Sequence, residues 1–521
     1  MHTSISHLFF SSKRYKKQAN LIHFTYSNLS QDRVKFHKLY LFNDYCFQFN
    51  CIDVLAVPEE CQLNATYDFI IIGGGVVGCM IARFLSRYQA SILLVEKEPD
   101  VGMGASSANS AIVHAGYDPL PGTLKAKLNV RANPMWDNLA GELNLPFERR
   151  GDYVVSIGQE ELPGLEKLLD QGRQNGVPGM HFISAEEMRR REPEINPQVS
   201  GALWAPTGGI CDPFAATVAA AENAVQNGLT ILLDTAFEDF IIKSGRIVGI
   251  RTNRGTFGCR WAINAAGLYS DEVMHCAGVR PEFRITPRRG EYCVLDRAEI
   301  TINNVLFPTP SKAGKGILVT TTLHGNTIVG PNANSVPDKR DRAVTSTGLT
   351  DIIDGGHKLV PSLNMRYIIA TFAGLRATGN ARCETPGIDY VSDFVIEIPQ
   401  TIRGLVNLGG IESPGLTSAP GIALYVIELL KDAGEKLVER RDWQPIRPHR
   451  PRFRDLTHAE QARLIAEDAR YGRVICRCEM ITEGEILAEI HAPIPATTYD
   501  AIKRRTWLGT GRCLGGFDLP R

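Results

Sequence analysis

The chain's 521 residues are enough for more than one domain and an ample core. Lys+Arg and Asp+Glu balance at 57 each, so its charge offers no handle for nucleic acid or an anionic membrane surface, and no apolar run reaches the length of a bilayer span. Its 12 cysteines are mostly isolated among apolar neighbours, as at Cys79, Cys259 and Cys293, the usage expected of buried free thiols in a reducing, cytoplasmic setting.

Residues 1–66 differ from the rest, being rich in Phe, Tyr, His and Lys, short of Gly and acidic residues, and without a sustained period. They read as an N-terminal extension without native structure, although the basic run Lys13-Arg14-Tyr15-Lys16-Lys17 also allows a transit peptide. The organised part starts at Tyr67. An apolar run, Phe69 to Ile72, enters Gly73-Gly-Gly75-Val-Val-Gly78, followed by an amphipathic stretch to Tyr88 and a second apolar run ending at Glu96. This order predicts strand, tight turn, helix and strand, the βαβ unit that binds a dinucleotide. Gly73 would make the turn, Gly75 would admit a pyrophosphate to the backbone, and Gly78 would let the helix pack on the strand, while Glu96, beside Lys97, would accept bonds from ribose hydroxyls.

Small and hydroxylated residues from Gly102 to Gly116 predict a loop that can run close to a ligand. Leu124–Leu145 reads as one helix, Gly151–Ile157 as a strand and Leu162–Asn175 as a helix; Ser184 and Glu187 have capping-box spacing for another. Asp212–Asn227 predicts a helix leading to a strand at Thr230–Leu233. A meander follows over Phe240–Ile242, Ile247–Thr252 and Thr256–Cys259, then a separate small-residue strand at Trp261–Gly267. Short β-type runs between Pro/Gly turns suggest an inserted antiparallel sheet at about 280–370. The α/β pattern returns with Leu405–Gly409 and a helix from about Pro420 to Asp432, before a Pro/Arg-rich linker, Trp443–Phe453, within the stretch 436–473.

Four stretches in this order carry a family resemblance: the Gly73 to Glu96 unit, the Ser106 to Gly116 loop, Ala262-Ile-Asn-Ala-Ala-Gly-Leu-Tyr-Ser-Asp271, and Gly409-Gly-Ile-Glu-Ser-Pro-Gly-Leu-Thr-Ser-Ala-Pro420. Together they resemble the D-amino-acid-oxidase-like superfamily of FAD-dependent oxidoreductases, in the branch of L-2-hydroxyglutarate oxidases and glycerol-3-phosphate dehydrogenases. The resemblance covers about 67–435. It implies an α/β fold: a doubly wound, Rossmann-like FAD-binding domain, an inserted antiparallel-sheet substrate domain, and a small helical C-terminal domain. It also implies bound FAD, with Ser106, Ser107, Asn109 and Ser110 beside the pyrophosphate and flavin, Ala266-Gly267 near the adenine-side phosphates, and Gly410, Gly415, Leu416 and Thr417 closing over the ring.

The activity implied is oxidation of a small anionic secondary alcohol by hydride transfer to flavin, with electrons passing to an acceptor or a partner redox subunit. Alternatives are an amine or amino-acid oxidase on the same fold, and a non-catalytic electron-transfer flavoprotein. His114 matches the branch's active-site histidine and would take the hydroxyl proton, unless it only braces the loop. His324 is a second candidate. Arg376 matches an arginine that clamps the substrate's anionic group, the alternative being an interdomain ion pair. Arg289 reads as holding its loop in shape. Glycerol-3-phosphate enzymes carry Gly-Gly-Lys-Thr-Thr where this chain has Gly409-Gly-Ile-Glu. A cation is missing there, which favours a 2-hydroxy carboxylate over a phosphate.

The tail contains Val474-Ile-Cys-Arg-Cys-Glu479 and Gly509-Thr-Gly-Arg-Cys-Leu-Gly-Gly-Phe517. It resembles the bacterioferritin-associated-ferredoxin-like domain, which implies a 2Fe-2S cluster held by Cys476, Cys478 and Cys513. The family's fourth cysteine is Asp518 here, and the domain (474–521) looks incomplete. A harder oxygen ligand predicts a cluster that is absent or labile.

Overall fold

The computed structural model describes residues 63–518 apart from 282, 311–315, 380 and 383–389, together with four short strands among residues 24–46. Those strands form two hairpins, Phe24–Asn28 with Val34–Lys38 and Leu41–Phe42 with Tyr45–Cys46, in a unit separate from Leu63–Arg521. The rest of the expected N-terminal extension lies outside the described residues. The second unit starts at Leu63, four residues before the expected boundary, and its first strand is Ala65–Ile72.

That strand is central to an eight-stranded sheet because both its faces are apolar, with Phe69, Ile70 and Ile71 fully buried. It runs parallel to Ile92–Val95 on one side and to Gly255–Asn264 on the other. Thr230–Leu232 extends the parallel order beyond Ile92–Val95, and Leu405–Gly409 lies parallel to the end of Gly255–Asn264. Phe69 and Ile71 face a layer built from the helices Val76–Leu85, Pro213–Gln226 and Gly415–Asp432, whereas Ile70 and Ile72 face Val273, Met274 and Phe283. This is the doubly wound arrangement expected. The third meander strand and the small-residue strand form one continuous element, Gly255–Asn264, whose first half pairs antiparallel with Arg246–Thr252 and whose last half joins the parallel core.

The second, nine-stranded sheet extends beyond 280–370. It also takes Asp152–Ile157, Val199–Ala205 and His181–Ser184, and Val305–Pro308 pairs parallel with Asp152–Ile157. Its longest ladder joins Ile285–Leu295 to Ile368–Gly379. The expected helix 124–145 is two, Leu124–Ala132 and Met135–Leu143. Pro134 has no N–H to continue the first helix and instead starts the second. The helix expected from about Pro420 begins at Gly415, with Pro420 in its second turn. Leu162–Asn175 and the Ser184 cap, whose Oγ accepts the Glu187 N–H, are as expected.

The Pro/Arg-rich stretch is a packed strap. Arg447 and Arg450 pair with the buried Glu222 at 2.7 and 2.9 Å, and Arg450 reaches Glu489 in the C-terminal part at 3.1 Å. That part is small and mainly helical, with helices Glu483–Ile490 and Tyr499–Thr506 beside a short hairpin of Val474–Cys476 and Ile481–Thr482. Arg504 and Arg505 close on Asp100 at 3.0 and 2.7 Å, just past the dinucleotide strand. Among the described residues no helix is long and apolar enough to cross a membrane.

Candidate active site

A cavity of about 1570 Å³ runs from the C-terminal end of the parallel strands to the face of the second sheet. Position at the strand ends is the usual ligand site of an open α/β sheet. At its dinucleotide end, Gly73 has φ +110°, and a Cβ there would lie 2.6 Å from the Ala265 carbonyl. A Cβ on Gly78 would meet the Gly73 carbonyl at 2.1 Å, so the helix can pack on the turn only with glycine there. The Ser106 hydroxyl accepts the Val76 N–H at 2.9 Å, joining the small-residue loop to the helix N-terminus. Glu96 accepts the Gly74 N–H at 2.6 Å and the Glu98 N–H at 3.0 Å; burial raises its pKa, and these two N–H groups oppose the rise.

Of the proposed cofactor residues, Gly73, Gly75, Glu96, Lys97, Ser106, Asn109, Ser110, Ala266, Gly267, Gly415, Leu416 and Thr417 all line this cavity. Gly78, Ser107 and Gly410 do not. Gly78 packs beneath the turn, the Ser107 hydroxyl donates to the Gly104 carbonyl, and Gly410, at φ +66°, makes a bend. Gly267, at φ +56°, has nothing within 4 Å of an added Cβ, so it leaves open space beside Ala266. The long cavity, the glycine cradle and the helix terminus whose N-cap is Gly75 fit FAD.

At the far end the cavity is walled by Phe307, Leu318 and Tyr292. Burial raises the Tyr292 pKa; its hydroxyl lies 3.1 Å from Ser110 Oγ and its ring stacks on Phe372. His114 lines this end. Its N–H donates to Thr417 Oγ1 at 2.9 Å, its carbonyl accepts from Asn129 and Asn133, and its Nε2 lies 3.5 Å from Ser413 Oγ. The backbone of His114 is therefore held by three side chains, and its ring lies between Ser413 and Phe307, which also line the cavity.

Arg376 stands on the long ladder directly opposite Arg288, and both line the cavity. Arg376 donates to the Asn332 carbonyl at 2.5 Å, and among the described residues no carboxylate pairs with it. Burial lowers its pKa, and Arg288 adds to the effect. Two guanidinium groups thus converge where sequence reasoning found one. Arg288 was missed because its pairing partner is fixed by strand register, which no local motif encodes. Arg289 is turned away, bound to Asp341 at 2.8 Å.

Ile411 stands at the position of the missing lysine, and the buried Glu412 follows it. Burial alone would raise its pKa, but Lys125 at 3.0 Å, Ser392 at 2.5 Å and Thr378 at 2.7 Å bring it down to about 2. The cation is thus present at Lys125, already paired.

His324 is a correction. It lies outside the cavity, with its ring 3.8 Å from that of Trp507 and its Nε2 3.4 Å from Asp212 Oδ2. Trp507 Nε1–H also donates to Asp212 at 3.1 Å, and Arg452 approaches His324 Nδ1 at 3.4 Å. This histidine is a contact between the second sheet and the C-terminal part, too enclosed to meet a substrate at the flavin end.

In the tail, Cys476 is buried and packs in one cluster with Cys478, and Cys478 lies beside Cys513. Three thiols brought together in this way fit a cluster held by Cys476, Cys478 and Cys513. Among the described residues no three His, Cys, Asp or Glu side chains converge on a point that would hold a single metal ion.

Residues 68–429 match the family model described as FAD dependent oxidoreductase, and residues 474–515 match the BFD-like [2Fe-2S] binding domain. The chain is 45% identical over 459 residues to a glycerol 3-phosphate dehydrogenase of Caloramator mitchellensis, covering 87% of this chain and 92% of that protein. It is 31% identical over 286 residues to the mitochondrial L-2-hydroxyglutarate dehydrogenase of Bos taurus, covering 52% of this chain and 61% of that one. The solved structure of dithionite-reduced L-alpha-glycerophosphate oxidase from Mycoplasma pneumoniae with FAD bound matches with a TM-score of 0.69 at 32% identity, over 74% of this chain and 99% of that one.

Proposed function

The chain belongs to the FAD-dependent oxidoreductase family and is an enzyme acting on a hydroxyl-bearing substrate; within that activity we propose that it oxidises glycerol 3-phosphate at its C2 hydroxyl. One observation carries the choice: Arg288 and Arg376 face each other across the ladder with no carboxylate between them among the described residues. Two guanidinium groups suit a phosphate dianion, and they remove the reason for preferring a 2-hydroxy carboxylate. The 45% identity to a glycerol 3-phosphate dehydrogenase supports the same choice.

FAD held by the glycine turn, Ser106 and the Gly415–Thr417 segment would supply the hydride acceptor. The chain supplies the rest. Arg376 is braced by the Asn332 carbonyl and with Arg288 fixes the phosphate, so that C2 is held at one distance from the ring. His114, fixed through its backbone, takes the proton from the C2 hydroxyl as the carbonyl forms. Phe307 and Leu318 exclude water from this end, which strengthens the arginine contacts. Glu412, kept ionised by Lys125, counterbalances the cluster of cations. The electrons then leave to an external acceptor or a partner redox subunit. In this reading 67–435 forms the catalytic domain, 436–473 the strap and 474–521 the C-terminal redox domain. The eight cysteines that are free among the described residues support a reducing, cytoplasmic location.

Anaerobic mixing of the purified protein with glycerol 3-phosphate should bleach the flavin band, with L-2-hydroxyglutarate and amino acids much slower. Bleaching by L-2-hydroxyglutarate alone would make this a 2-hydroxy-acid enzyme, and bleaching by none would leave a non-catalytic flavoprotein.

A further inference from the structure

The feature not used by this function is a carboxylate in the tail. Asp518 is 5% exposed, yet among the described residues neither of its side-chain oxygens has a hydrogen-bond partner, a costly arrangement for a buried carboxylate. The Cys476 sulfur lies beside it, and its charge also reaches Cys478 and Tyr499. Among the described residues the Tyr499 hydroxyl is itself buried without a partner. Asp518 is held where it is by the turn Gly515–Asp518, its N–H donating to the Gly515 carbonyl at 3.0 Å. An unpaired anion kept beside three thiols needs a cation to justify its burial.

We propose that Asp518 is the fourth protein ligand of a 2Fe-2S cluster in this chain, binding iron through a carboxylate oxygen alongside the sulfurs of Cys476, Cys478 and Cys513. The donors come as two pairs, Cys478 with Cys513 and Cys476 with Asp518. A binuclear cluster takes two protein donors on each iron, so two pairs of donors match its ligand count. Charge balance is preserved. Three thiols lose their protons on binding and the carboxylate has none to lose, so the ligand set carries the same four negative charges as four thiolates. The difference is hardness: oxygen prefers ferric over ferrous iron, so the iron bound by Asp518 is the harder one to reduce. The sequence-level expectation of a degenerate site counted donors by sulfur and overlooked the burial of this oxygen.

The test uses the full chain, isolated anaerobically or reconstituted with ferrous iron and sulfide. Iron and acid-labile sulfide are measured per flavin, and the dithionite-reduced protein is examined by electron paramagnetic resonance. The unsubstituted chain should hold about two irons and two sulfides per flavin, and Asp518→Ala should lose most of both while keeping its flavin. Asp518→Cys should keep the cluster but change its visible bands and g values and raise its reduction potential. An unsubstituted chain that binds no iron would overturn the proposal. So would Asp518→Ala with unchanged iron and spectrum, or Asp518→Cys with a spectrum identical to the unsubstituted chain; the last comparison stands even if the alanine variant fails to fold.

Discussion

Replacing Arg376 by Lys keeps the charge and removes the fork, so it isolates what the guanidinium geometry contributes. In the structure one Arg376 nitrogen is committed to the Asn332 carbonyl at 2.5 Å, and the others are available to the substrate's anionic group. A lysine amine has three donors at one point and cannot hold both that carbonyl and two phosphate oxygens in the same geometry. At least one charged hydrogen bond is lost, about 1.5–3 kcal/mol, which is roughly a 10- to 150-fold weaker affinity. Rapid-mixing measurements of flavin reduction against glycerol 3-phosphate concentration separate the dissociation constant from the limiting rate. The loss should fall mainly on the dissociation constant, with a smaller loss in the rate from imprecise placement of C2. An unchanged dissociation constant would refute the argument and return Arg376 to a structural role.

His114→Ala should slow the limiting rate of flavin reduction by about 10² to 10⁴ with flavin content intact; a silent His114→Ala would remove it from proton transfer. Gly75→Val should yield protein without the yellow flavin absorbance, because its side chain would project toward Ser106 and into the pyrophosphate's place; full flavin retention would contradict the assigned cradle. Glu192 gives a prediction about pH. Burial pushes its pKa up to about 7 from 4.5, only partly opposed by the Asn303 and Asn304 N–H groups. A carboxyl raised in the folded state favours folding below the unfolded value, and that contribution is lost as pH rises from about 4.5 through 7. Glu192→Gln should therefore raise the melting temperature at pH 8 relative to the parent chain and change it little at pH 5. Equal effects at both would show that Glu192 stays ionised throughout.

The parts of this architecture that were legible in advance are those whose cause is local. Gly73, Gly75 and Gly78 serve a turn and one helix, so spacing alone reveals them, and His114 lies in the loop that follows. Asp212 announced its helix for the same reason, since an N-cap acts within three residues. Pairings set by register or by folding back were not legible. Arg288 meets Arg376, Lys125 meets Glu412, and His324 meets Asp212 and Trp507, each across a long stretch of chain. A histidine between β-type runs in the sheet region looks the same in sequence whether its strand end faces a substrate or a tryptophan. Pro134 was different: its effect is local, but the apolar period continues across it and hid the break between two helices.

The way Arg505 is seated has a mechanical consequence. Its side chain is 2% exposed and meets Asp100, which is 1% exposed, so the two charges are held together away from solvent. Breaking one buried pair by losing a partner costs about 3–5 kcal/mol, and Glu222 with Arg450 forms a further pair nearby. Substituting either partner would therefore loosen the seat of the C-terminal part on the loop that follows the dinucleotide strand, and without that part Asp100 would lose both of its arginine partners.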